Sequence, residues 1–178
     1  MQRETKVLVI GGGVQGCSVL YHLAKLGWSD VMLVEQSELT SGSTWHAAGL
    51  CTQMNSSWNM MGLLKYSIEL YNSLEAETGQ AVDFRETGSL RIATNPDRMD
   101  EFEHRKGIAA TLGVPFEIIT PARAREYFPF ADFDDALGVA WIPTDGYVDS
   151  GGVAQALAKG AVDRGAEINT QTRVRGIE

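Results

Sequence analysis

Cysteine is scarce in this sequence: Cys17 and Cys51 are the only two among 178 residues. Two cysteines make no disulfide framework, and neither has the spacing of a metal-ligand set. Cys17 falls on the apolar side of a predicted helix and reads as a small core residue. Cys51 reads as a packing residue, with a ligand-facing role as the alternative. Histidine is almost as rare, with three residues. No metal cluster and no Ser-His-Asp constellation is expected. Long apolar runs are missing, and none approaches the ~18 residues of a membrane span. Basic charge is also short. Fifteen Lys and Arg face 23 Asp and Glu, a formal charge of −8. That disfavours a nucleic-acid partner, which needs a basic face, and the acid surplus reads as a solvated surface. The start, Met1-Gln2-Arg3-Glu4-Thr5-Lys6, passes straight into an apolar run, with no signal or transit peptide in view. The expected location is cytoplasmic, or the mitochondrial matrix for a chain whose leader was removed.

What is present is ordinary globular material, 44% hydrophobic and 21% charged. Its order along the chain is informative. Val7–Ile10 is a short run of β-branched type followed by glycine, a strand buried on both faces. Val14 to Leu26 carries Cys17, Leu20, Tyr21 and Ala24 at helical spacing and stops at Gly27. Val31–Val34 is a second buried strand. Met60, Leu63, Leu64, Ser67, Tyr71 and Leu74 mark a long helix ending near Thr78-Gly79. Val82–Phe84 and Ser89–Ala93 predict a hairpin turning at Glu86-Thr87-Gly88. Asn95-Pro96 opens a helix to about Leu112, with Gly113 as its stop. Phe116–Ile119 is a strand, Thr120-Pro121 starts a short helix, and Leu137–Ile142 is another strand. Asp145-Gly146 is a turn. Ser150 is expected to cap a helix from Gly152 to Arg164. Ala166–Thr170 and Thr172–Ile177 are expected strands. The fold class is therefore α/β. A Rossmann-like nucleotide-binding domain, residues 1–51 and 143–178, is interrupted by an inserted α+β segment, 52–142.

Gly11-Gly12-Gly13-Val14-Gln15-Gly16 fits G-x-G-x-x-G between that first strand and helix. Gly11 allows the tight turn, Gly13 admits a pyrophosphate, and Gly16 lets helix and strand approach. The pyrophosphate then lies at the helix N-terminus, where free N–H groups and the dipole favour negative charge. Glu35 ends the second strand, where an acid accepts both ribose hydroxyls and repels the 2′-phosphate of NADP. A dinucleotide site follows from the three features together.

The next stretch, Thr40 to Leu50, is small and hydroxylated apart from Trp45 and His46. Ser41, Ser43 and Thr44 can donate to phosphate or ribityl oxygens, and Gly42 and Gly49 let backbone come close. Val7 to Gly16, Glu35-Gln36, and above all Ser41-Gly42-Ser43-Thr44-Trp45-His46-Ala47-Ala48-Gly49-Leu50 resemble the FAD-dependent amine oxidoreductases of the D-amino-acid-oxidase superfamily. The dimethylglycine dehydrogenase branch is the nearest and the sarcosine dehydrogenase branch next, with Ala47 leaning toward the former. The likeness extends over Glu77-Thr78-Gly79-Gln80, Gly88 to Thr94, Asp100-Glu101-Phe102 and Asp145-Gly146.

The resemblance implies FAD contacts from Val14, Gln15, Glu35, Gln36, the Gly42 to Leu50 loop, and the backbone of Val174. It implies a covalent bond from His46 to the 8α-methyl of the flavin. It also implies hydride transfer from an N-methyl carbon to flavin N5, with the amine unprotonated. The partner is then a small-molecule amine, the electron acceptor stays open, and tetrahydrofolate enters only in a full-length enzyme, of which these residues are expected to be the N-terminal part. Independent turnover is expected to be weak or absent. No catalytic residue is assigned. His22 is expected to pack or sit at the surface of its helix, His104 to lie on a solvated face, and Trp58, Tyr66 and Tyr71 to be core. Two alternatives stand beside this reading: a flavin enzyme for sarcosine, glycine or a related amine, and a non-catalytic nucleotide-binding module.

Overall fold

A computed structural model describes residues 4–177. Met1–Arg3 and Glu178, where the expectations about a leader and about the chain's end fall, lie outside them. In chain order the elements are β1 (Val7–Ile10), α1 (Val14–Lys25), β2 (Val31–Val34), a 3-10 turn (Ser43–His46), β3 (Leu50–Cys51), α2 (Trp58–Thr78), β4 (Arg85–Glu86), β5 (Ser89–Ala93), α3 (Pro96–Leu112), β6 (Glu117–Ile119), α4 (Pro121–Tyr127), β7 (Gly138–Ile142), β8 (Gly146–Tyr147), α5 (Ser150–Val162) and β9 (Glu167–Asn169). They form two compact units. The first holds the chain up to Gly49, Tyr71–Phe84 and the chain from Val148 on; the second holds Leu50–Leu70 and Arg85–Tyr147.

The first unit is a parallel sheet in the order β1-β2-β9. Val7 lies opposite Val31 and Ile10 opposite Val34, while Met32 pairs with Glu167. All four residues of β2 are buried, as a central parallel strand requires. Helix α1 buries Cys17, Leu20, Tyr21 and Ala24, and Gly27 ends it in the left-handed conformation, φ 91°. Helix α5 packs against α1. Six of its eight buried residues are Gly or Ala, and a Cβ at Gly160 would stand 2.9 Å from the Tyr21 ring. Small residues set this close approach. Tyr21 donates to Glu77 Oε1 at 2.6 Å, and Arg164 donates to the same oxygen at 2.7 Å, which ties the last turn of α2 to α1 and to the chain just after α5.

The second unit holds two antiparallel sheets, β3-β8-β4 and β5-β7-β6. Met61, Phe102, Ala109, Phe116 and Ile142 form its main core, and Ile119, Phe133 and Val139 a smaller one. Helix α3 starts as expected. Asn95 accepts from Arg98 N, Pro96 follows, and Gly113 ends the helix at φ 68°.

Several expectations are corrected. Val82–Phe84 forms no strand. The short strand there is β4, which pairs with β8, whereas β5 pairs with β7, so no hairpin forms. Gly88 does turn the chain, with its N–H bonded to Asp145 O at 2.7 Å. Asp149, not Ser150, caps α5: its carboxylate accepts from Gly151 N at 3.0 Å. Ser150 is the first helical residue, and its hydroxyl donates to Thr44 O at 2.9 Å instead. Thr172–Ile177 is irregular, and Asp145 is a buried residue leading into β8. The buried face of α2 runs through Met61, Ile68, Leu70 and Leu74. Met60, Leu63, Trp58 and Tyr66 are exposed. Among the described residues no helix is long and apolar enough to cross a membrane.

Candidate functional site

At the carboxyl end of β1 the chain turns tightly. Gly11 takes φ 109°, and its N–H bonds Val34 O at 2.9 Å. A Cβ at Gly16 would lie 1.9 Å from Gly11 O, so only glycine lets α1 sit this close to the strand. Gly12, the unspecified position of G-x-G-x-x-G, is held by contacts of its own. Its N–H donates to Glu35 Oε2 at 2.7 Å, and its carbonyl accepts from Thr40 N at 2.9 Å and from Cys17 Sγ at 3.7 Å. A Cβ there would press on Leu39 at 2.6 Å and on Glu35 Cβ at 3.0 Å.

Gly13 then enters α1 in an extended conformation with no side-chain cap, and the first turn carries no acid. No side chain of the first turn offsets the orphan N–H groups or the positive end of the dipole. Val14 N is partnered from outside that turn, donating to Thr44 Oγ1 at 3.0 Å. Gln15 is exposed on that turn.

Glu35 holds the loop as well as facing a cleft. Its second oxygen accepts from Ser37 N at 2.8 Å. A carboxylate offers about four acceptor positions, so two stay open to hydroxyl donors. The cleft, about 250 Å³, brings together Gly11, Glu35, Gln36 and Val174, flanked by Thr172 and Arg173. Gln171 makes this possible. Its φ of 54° redirects the chain after β9, Gln171 N bonding Ser37 O at 3.1 Å and Thr172 N bonding Glu35 O at 2.7 Å.

The Thr40–Leu50 stretch begins on Thr40 at φ 68°, an unusual conformation for a β-branched residue. Thr44 is buried, 6% exposed, and anchors the 3-10 turn; Trp45 is 62% exposed and His46 is exposed beside it. Their rings lie 3.7 Å apart, tilted by 34°. His46 Nδ1 is 3.3 Å from Gly42 O. A carbonyl only accepts, so Nδ1 is the donor in that contact, and Nε2 has no hydrogen-bond partner among the described residues. Gly49, at φ 71°, packs so tightly on Val148 that a Cβ would stand 2.1 Å from its carbonyl oxygen. Ser43, Ala47, Ala48 and Leu50 complete an outward row of small groups and one leucine, which is 74% exposed.

The family model described as FAD dependent oxidoreductase matches residues 6–178. The chain belongs to this family. Mitochondrial dimethylglycine dehydrogenase of Rattus norvegicus is 45% identical over 158 residues, covering 89% of this chain and 18% of that protein. Mitochondrial sarcosine dehydrogenase of Homo sapiens is 40% identical over 172 residues, 96% of this chain and 19% of that protein. The crystal structure of L-proline dehydrogenase from P. horikoshii superposes with a TM-score of 0.90 at 30% identity, covering 99% of this chain and 46% of that one. The chain thus spans about a fifth of the length of these curated relatives. The FAD-dependent oxidoreductase family needs a site for pyrophosphate, ribose and a flavin ring. The uncompensated α1 start, the open acceptors of Glu35 and the exposed small-residue loop fit those three parts.

The second unit holds a polar cluster that the sequence did not reveal. Asp145 is fully buried. Its Oδ1 accepts from Gln53 N at 2.9 Å and Gln53 Nε2 at 3.1 Å, and its Oδ2 from Ser89 Oγ at 2.6 Å. Burial raises its pKa, and the hydrogen bonds from Ser89 and Gln53 and the charge of Arg91 offset this only in part. Burial, with the Asp145 charge added, pushes the Cys51 thiol up to about 11; burial likewise pushes Cys17 up to about 11. Burial therefore favours the neutral thiol, the weaker nucleophile, at both positions. His22 sits on α1 with Nδ1 2.6 Å from Ser18 O, and His104 is exposed on α3.

Proposed function

We propose that this chain is the FAD-holding part of an enzyme that oxidises an N-methylated glycine-type amine, dimethylglycine-like in kind. The observation that carries this reading is the exposed His46, its Nε2 without a hydrogen-bond partner among the described residues, on a loop hydrogen-bonded directly to the glycine turn. FAD, when bound, supplies a two-electron acceptor for oxidation at the carbon beside the amine nitrogen.

The chain's own residues hold it. Gly11, Gly13 and Gly16 leave room for pyrophosphate over the start of α1, where Val14, Gln15 and the helix dipole attract it. Thr44 accepts from Val14 N and so has its hydroxyl hydrogen left to donate to a phosphate oxygen. Glu35 accepts the ribose hydroxyls, Gln36 lines the same cleft, and the Val174 backbone meets adenine. Gly42, Ser43, Trp45, Ala47, Ala48, Gly49 and Leu50 face the flavin, and His46 Nε2 is its covalent attachment point. Residues 1–51 and 143–178 serve FAD, while 52–142 belong to the substrate domain except for Tyr71–Phe84, which pack within the first unit. A tether keeps the cofactor from dissociating and raises its potential, which suits amine oxidation. Tetrahydrofolate belongs only to a full-length enzyme. A sarcosine-type amine is the second reading, favoured by the 40% identity to the human sarcosine dehydrogenase.

The test is a denaturing gel viewed for flavin fluorescence. A fluorescent band that disappears in His46→Ala supports the tether. A protein that takes up no FAD when refolded with it overturns the reading.

A further inference from the structure

Two helix starts converge on the Ser43–His46 turn. One is α1, through Val14 N and Thr44 Oγ1. The other is α5, through the side chain of Ser150. Ser150 Oγ stands 2.9 Å from Thr44 O and 3.4 Å from Ala47 O. Both carbonyls are acceptors, so the hydroxyl donates, chiefly to the nearer. Thr44 O also accepts from Ala47 N at 3.2 Å, the bond that closes the turn. A single 3-10 turn has poor hydrogen-bond geometry and no length over which to become cooperative. Its pitch must therefore be set from outside. Ser150 is free for that task because Asp149 already caps α5.

We propose that Ser150 is a positioning residue: its hydroxyl fixes the pitch of the Ser43–His46 turn and, through it, the orientation of the His46 ring. The inference rests on the FAD reading for its purpose, but its geometry stands apart from it. Without that donor the turn keeps Thr44 as a buried anchor and loses its hold at the carboxyl end, where His46 and Ala47 leave it.

The experiment compares Ser150→Ala, Ser150→Pro and Ser150→Thr in the 178-residue protein. Proline suits the first residue of a helix, and Asp149 before it is already extended at φ −75° and ψ 107°. Ser150→Pro therefore removes the hydroxyl while keeping the helix start. The readouts are the nitrogen-15 signals of the His46 ring, assigned by their loss in His46→Ala, the melting temperature, and the affinity for FAD. Ser150→Ala and Ser150→Pro are expected to shift the His46 signals and weaken FAD binding about fivefold, the worth of one net hydrogen bond. The melting temperature of Ser150→Pro should not fall, and Ser150→Thr should restore both other readouts. Wild-type His46 signals and FAD affinity in the folded Ala and Pro variants would overturn the proposal. A wild-type protein that binds no FAD sinks the FAD reading alone, because the His46 signals of the apoprotein still decide the role of Ser150.

Discussion

The two units treat polar groups in opposite ways. Around Asp145 the polar groups partner one another: Gln53 and Ser89 donate to one buried carboxylate, and Thr144 accepts from the Gln53 amide at 2.7 Å. Around the glycine turn the backbone is held rigidly, but the helix start, the outer acceptors of Glu35 and the His46 ring have capacity left over. A satisfied buried cluster stabilises and specifies a fold. A rigid frame with unspent donors and acceptors is what a ligand needs. On the proposed function the one cluster serves structure and the other binding, a division that can be tested by breaking each in turn.

The largest effect is expected at Gly16. A Cβ placed 1.9 Å from Gly11 O forces strand and helix apart. Gly16→Ala should cost about 3 kcal/mol or more, a fall in melting temperature of about 6–12 °C at this chain length. FAD retention on gel filtration should be lost with it. Asp145→Ala comes next. It strands the Ser89 hydroxyl and two Gln53 donors, at about 2–3 kcal/mol, but FAD affinity should stay within about twofold by titration. Should Asp145→Ala abolish FAD binding while the protein stays folded, the division between a structural and a binding cluster is wrong.

Acid titration sharpens the same contrast at smaller cost. Burial raises the pKa of Glu77, but the Tyr21 hydrogen bond and the charges of Lys25 and Arg164 outweigh it and leave the carboxyl below its usual range. Its ionised form therefore contributes stability above the unfolded-state pKa, and that contribution is lost as pH falls through the folded value. Asp145 has the opposite sign. Its raised pKa means that the neutral form contributes stability below the unfolded-state pKa, lost as pH rises through the folded value. Melting curves taken down through the carboxylate range, about pH 4, should show the gap between wild type and Glu77→Gln narrowing. The gap between wild type and Asp145→Asn should move in favour of wild type. Parallel curves would remove the opposition.

Local chemistry made much of this legible in the sequence. The β-α-β start, Asn95-Pro96 and the Gly113 stop are written in neighbouring residues, because capping and periodicity act over one or two turns. What was hidden depends on partners distant in the chain. Ser89–Ala93 looked like half a hairpin, and its true partner is β7. Helix α2 contributes Met61 and Ile68 to one unit and Leu74 to the other, so no single stripe describes it. The role of Asp145 is invisible because an Asp-Gly pair usually marks an exposed turn. Gly12 fills an unspecified place in a glycine pattern that records only what a ligand needs, whereas Leu39 and Glu35 make their own demand on it.

The smallest effect concerns strain at the loop entrance. Thr40 sits at φ 68°, where a β-branched side chain is held against its preference, and its N–H bonds Gly12 O at 2.9 Å. A strained residue in a binding loop costs about 1–3 kcal/mol and persists because its surroundings impose it. Thr40→Gly removes the steric cost but returns conformational freedom to the unfolded chain, about 0.5–1 kcal/mol in the other direction. The difference of the two ranges is a gain of about 0–2.5 kcal/mol, and the lower half of it, roughly 1 kcal/mol or about 2–4 °C, is expected. The same freedom loosens the entrance of the loop, so FAD affinity should fall slightly as stability rises. A stability gain with lower affinity places the strain in the service of the site. A loss of stability in Thr40→Gly would show that the left-handed turn is relaxed in its surroundings, and that rigidity at the crevice comes from the Gly12, Glu35 and Thr44 hydrogen bonds alone.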